Sequence, residues 1–147
     1  MINVTLIQSD IIWEDRISNL KKYRPHIAMF SPTYRTMKKY RNQGEMKYGQ
    51  EATVEEYIDN SKKFIEALID IMDENGVIVI IIGESYSGGY KSVITQYEMM
   101  LVEAGVEIIG KSPWIKSNST PVILKDFFRP VDETILVCKM KGAKVNF

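Results

Sequence analysis

Cysteine and histidine are nearly missing from this 147-residue chain, which has one of each, Cys138 and His26. A single thiol cannot close an internal disulfide, and without companions it cannot complete a zinc site, so no metal centre is expected. Such cysteine usage suits a reducing, cytoplasmic compartment. An excess of charge is missing too, because 19 basic and 19 acidic residues cancel. No global field therefore draws the chain onto nucleic acid, and any such binding has to come from a local patch. Long apolar runs are absent: the longest aliphatic stretch is Val77–Ile82, far short of the ~20 residues of a membrane helix. The first residues, Met1-Ile2-Asn3-Val4, have neither the basic start nor the apolar stretch of a signal peptide. With 45% hydrophobic and 26% charged residues, the chain reads as one ordinary globular domain over residues 1–147.

Strand-like and helix-like periodicities alternate along it, which predicts α/β architecture. Residues 3–8 read as a strand ending at Ser9-Asp10, followed by helical character over 15–22 and a second apolar strand over 26–30. Thr53 with Glu56 three residues on has the spacing of a capping box. Tyr57, Phe64, Ile65, Leu68 and Met72 then recur at helical spacing, as for a helix lying on a sheet, and Gly76 is placed as its left-handed stop. Val77–Ile82 is the expected central strand. A further helix carries Val93, Ile94, Tyr97, Met100, Leu101 and Ala104 and ends at Gly105. Residues 106–109 and 134–140 read as closing strands around an irregular segment, 111–132.

In open α/β sheets, ligands bind beyond the carboxyl ends of the strands. Three polar loops take that position: Ser9-Asp10, Ser31-Pro32-Thr33-Tyr34, and the loop from Gly83 to Gly89. The second is the most informative, since a proline fixes the chain direction after the strand while a hydroxyl and a flat ring flank it. In order along the chain stand Ser31-Pro32-Thr33-Tyr34, Gly49-Gln50-Glu51, Glu55-Glu56-Tyr57, Gly83-Glu84-Ser85-Tyr86, and Trp114-Ile115-Lys116-Ser117-Asn118-Ser119-Thr120-Pro121. Arg129 and Glu133 precede the last strand. This succession resembles the β-group of DNA amino-methyltransferases, which methylate N4 of cytosine or N6 of adenine. The resemblance runs from about residue 5 to 140.

It implies a Rossmann-like, S-adenosylmethionine-dependent methyltransferase fold with a mostly parallel sheet and flanking helices. It also implies that the target base is rotated out of the duplex. Tyr34 would stack on that base, while the Ser31 hydroxyl and the Pro32 carbonyl accept hydrogen bonds from its amine. Serine in the first position leans towards N4-cytosine. Asp10, Gly83, Glu84 and Ser85 are the expected contacts to S-adenosylmethionine. For Asp10 the other reading is a helix N-cap, and for Glu84 a cap on the next turn. Arg35, Lys38, Lys39, Arg41 and Lys47, with Tyr40 and Tyr48 among them, form a basic loop suited to DNA phosphates or to plain solvation. Trp114 and Lys116 lie where the family approaches its substrate, although a buried tryptophan anchor is the other reading.

Two departures from the family pattern stand out. Thr33 replaces a second proline, and no glycine-rich F-x-G-x-G segment is present. The strand ending at Asp10 and the one before Ser31 would be separated in the family's sheet by two strands that this chain does not encode. Residues 26–30 are therefore expected at a sheet edge that something covers: a complementary chain, a second copy, or the first strand. The competing functional reading is an inactive methyltransferase-like relic that binds DNA or protein.

Overall fold

The computed structural model describes residues 20–32, 51, 53–84, 92–117 and 132–145. Among these, the elements in chain order are β1 (Ile27–Phe30), α1 (Val54–Ile71), β2 (Val77–Ile82), α2 (Val93–Glu103), β3 (Val106–Ile115) and β4 (Asp132–Met140). The expected strand over 3–8 and most of the helix over 15–22 lie outside the described residues.

The strands form one sheet in the order β1-β2-β4-β3. β1 runs parallel to β2, while β4 is antiparallel to both β2 and β3. The α/β reading holds. Among the described residues, however, the parallel part is confined to β1 and β2, because β3 and β4 pair with each other as antiparallel strands.

Each strand alternates sides, and the register aligns the sides across the sheet. One face carries Ala28 and Phe30, then Ile78, Ile80 and Ile82, then Leu136 and Cys138. Both helices cover it. Ile78, Ile80, Leu136 and Cys138 are fully buried there with Ile65, Leu68, Tyr97 and Leu101 of the helices. Each such aliphatic side chain contributes about 1.5–3 kcal/mol through its burial. The Phe64 ring of α1 meets Phe30 edge-on at 4.9 Å, which ties the helix to β1. The opposite face carries Ile27, Met29, Val77, Val79, Ile81, Ile135 and Val137.

The start of α1 follows the expectation: the Thr53 hydroxyl accepts a hydrogen bond from the Glu56 amide at 3.1 Å. Its end does not. Gly76 lacks the left-handed conformation, which belongs to Gly105 (φ 81°) after α2 and to Gly142. Gly76 is required by space instead, since a Cβ there would lie 2.6 Å from Met72 Cε and 2.9 Å from the Asp73 carbonyl oxygen. β3 also runs six residues beyond its expected end at Ile109, pairing with β4 as far as Ile115 and Asp132. Pro113 is tolerated within it because an edge strand needs only one side of its backbone for pairing. A bulge between Ile108 and Gly110 shifts its register by one residue.

Candidate functional site

The parallel pair and the closing hairpin bring four chain segments to one end of the sheet. β1 and β2 leave there through Ser31-Pro32 and Gly83-Glu84, β3 ends there at Trp114 to Lys116, and β4 begins with Asp132-Glu133. At ~4.8 Å per strand, this edge spans roughly 14 Å from β1 to β3. The alternation of β1 continues into its exit, with Ser31 exposed and Pro32 buried. Ser31 is thus reachable by a ligand, while its neighbour is anchored in the fold. Tyr34 lies outside the described residues.

Trp114 stands opposite Glu133 on the hairpin, on the side of Ile135 and Val137, the face away from the helices. It is 48% exposed, and Ile115 beside it is 71% exposed, so the buried-anchor reading of this tryptophan does not hold. Lys116 forms an ion pair with Glu133, whose carboxylate is largely buried at the base of the hairpin. The lysine charge is therefore compensated within the fold. The pair joins residues 17 apart in sequence, so no local spacing announced it.

Glu84 is half-buried, and both of its carboxylate oxygens are engaged. Oε2 accepts from the Val93 amide at 2.9 Å, and Oε1 accepts from Ser92 Oγ at 3.3 Å. Of the two readings of Glu84, the geometry is that of the cap. Ser92, the N-cap of α2, makes no side-chain capping bond of its own. Gly83 is half-buried beside Glu84. Glu51, from the Gly49-Gln50-Glu51 motif, is 2% exposed and accepts a bond from Asn60 Nδ2 at 3.0 Å, so it stabilises the entry to α1.

Asp10, Ser85, Arg35, Lys38, Lys39, Arg41 and Lys47 all lie outside the described residues, as do Asn118, Pro121 and Arg129 of the motifs. Cys138, fully buried in β4, has its thiol pushed up to about 11, chiefly by burial and secondarily by the nearby Glu98 carboxylate. It remains protonated at neutral pH and is no nucleophile. Among the described residues, no cluster of metal-ligating side chains is present and no helix is long and apolar enough to cross a membrane.

Residues 26–147 match the DNA methylase family of N6/N4 methyltransferases. The chain is 28% identical over 140 residues to the type II methyltransferase M.MwoI of Methanothermobacter wolfeii, an alignment covering 90% of this chain and 21% of that protein. TTHA0409 of Thermus thermophilus superposes with a TM-score of 0.63 at 16% identity, over 88% of this chain and 52% of the other. The cytosine-N4-specific PvuII DNA methyltransferase gives 0.60 at 16% identity, over 85% and 48%. The complex of M1.HpyAVI with S-adenosylmethionine gives 0.57 at 17% identity, over 94% and 55%. The chain thus spans about half the length of these solved structures and about a fifth of M.MwoI. The four-stranded sheet with its two helices has the fold of S-adenosylmethionine-dependent methyltransferases, and the chain belongs to the N6/N4 DNA methylase family.

Proposed function

We propose that this chain is the target-base half of a DNA amino-methyltransferase that acts on N4 of cytosine in preference to N6 of adenine. The observation that carries this reading is the exit of β1: an exposed Ser31 followed by a buried Pro32, at the carboxyl end of the parallel pair, in a member of this family. The Ser31 hydroxyl and the Pro32 carbonyl accept the amine hydrogens of an extruded base, which pulls the nitrogen lone pair out of conjugation and aims it away from the ring. Tyr34 stacks on the base and helps recover the cost of extrusion. S-adenosylmethionine, when bound, supplies the methyl group. Asp10, Gly83 and Ser85 are the residues assigned to hold it, and Gly83 stands at the same sheet end as Ser31. Positioning and electrostatics suffice for this transfer, consistent with the inert thiol of Cys138. The basic loop of Arg35, Lys38, Lys39, Arg41 and Lys47 contacts DNA phosphates, and the exposed Trp114 approaches the duplex from the other end of the site.

The active unit includes a complementary polypeptide that carries the glycine-rich part of the cofactor site and covers β1. One feature supports this: Ile27 and Met29, on the outer strand of the described sheet, are 70% and 67% exposed. The test is transfer of tritiated methyl groups to DNA by the chain alone and with the uncovered half of TTHA0409 supplied in trans. Transfer is expected only with both, with N4-methylcytosine as the product nucleoside. Tyr34→Ala should lower it roughly 5- to 150-fold, the equivalent of about 1–3 kcal/mol of lost stacking. No transfer under either condition, or full activity of Tyr34→Ala, rejects the reading.

A further inference from the structure

Lys116 and Glu133 belong to separate motifs, one at the end of β3 and one at the start of β4, and the hairpin joins them as an ion pair. Glu133 is largely buried although it stands at the open end of its strand, whereas Lys116 is exposed. The residue directly opposite Glu133 is Trp114. Opposed Cβ atoms lie only ~5 Å apart, and the diagonal neighbour two residues on is within reach of a long side chain. The carboxylate thus passes Trp114 on its way to Lys116, and the indole is flanked by two side chains that hold each other. Such a pair adds little to stability, and its best-attested use is to select one arrangement of the chain.

What it arranges faces the exit of β1. By the alternation of that strand, Ser31 lies on the side of Ile27 and Met29, the same side of the sheet that carries Ile135, Val137 and Trp114. Ile115 projects from the other side and is exposed as well, so the end of the hairpin is accessible on both faces among the described residues. We propose that Lys116 and Glu133 are positioning residues for DNA: their ion pair fixes Trp114 at the sheet end, where the indole packs against the DNA that presents its base to Ser31. The pair acts through Trp114 and makes no contact with the bases itself. This inference rests on the DNA reading of Trp114 above.

The test is a double-mutant cycle on binding of the 147-residue chain to a fluorescently labelled duplex, read by anisotropy at a temperature where circular dichroism shows the variants folded. Trp114→Ala should weaken binding about tenfold, as for the loss of one aromatic contact with a base. Glu133→Gln and Lys116→Met should each weaken it about three- to tenfold, and neither should weaken it further once Trp114 is alanine. Losses that add to that of Trp114→Ala overturn the proposal, because a merely structural pair acts independently of the indole. Unchanged binding by either pair variant also overturns it. So does tighter binding by Glu133→Gln, the mark of a lysine released to a phosphate. Lys116→Met alters an exposed side chain and carries the same cycle if Glu133→Gln does not fold. No binding by the unaltered chain, or unchanged binding by Trp114→Ala, rejects the DNA reading of Trp114 and the proposal together, whereas the other failures reject the role of the pair alone.

Discussion

The two faces of the sheet are built from similar residues and meet different fates. On one, Ile78, Ile80, Leu136 and Cys138 are fully buried under α1 and α2. On the other, the outermost strand shows Ile27 and Met29 at 70% and 67% exposure. Composition does not distinguish them, since apolar residues occupy both sides of β1 and β2. What differs is the presence of an amphipathic layer within reach. An apolar side chain stabilises a fold only where something excludes water from it, so among the described residues it is cover and not composition that separates the two faces.

The largest effects are expected on the covered face. Leu136→Ala should cost about 2–5 kcal/mol, read as a lower urea midpoint with unchanged slope. Cys138 on that face should resist alkylation at pH 8 until the chain unfolds. Its folded pKa lies above the ordinary thiol value of 9.0, at about 11, so its contribution to stability is complete below pH 9 and declines as pH rises towards 11. A melting series across that interval checks the sign. Thr53→Ala removes the cap of the covering helix and should cost about 1 kcal/mol, measured by the same urea titration. Ile27→Lys on the open face should change the stability of the isolated chain by no more than about 0.5 kcal/mol, yet abolish complementation in the methyl-transfer assay. Equal losses from Leu136→Ala and Ile27→Lys in the isolated chain would erase the distinction between the faces.

Local signals make much of this legible. Apolar residues at helical spacing mark α1, a run of β-branched residues marks β2, and the Ser31-Pro32 exit stands where the alternating strand ends. The rest is decided by residues distant in sequence. Gly110 and Pro113 resemble strand breakers, but β4 supplies a partner that carries β3 through both. Lys116 and Glu133 show no relation in sequence until the hairpin brings them together. Gly76 reads as a turn in the chain, whereas Met72 and Asp73 leave room for nothing larger. For Glu84 the two roles are indistinguishable in sequence, because the distance from a strand end to a helix start is set by folding and not by spacing.

The bulge in β3 works like a change of step. With Ile109 as the extra residue, Ile108 and Lys111 both face the helices, and the Lys111 ammonium meets Glu98 of α2 at 2.7 Å. Trp114 is thereby sent to the opposite side, next to Glu133. Deleting Ile109 would remove the bulge and make the pairing regular, leaving Lys111 beside Leu136 under the helices and Trp114 beside Glu133 on the other face. The bulge thus absorbs one residue of length at a single point and spares the hairpin tip a change of face.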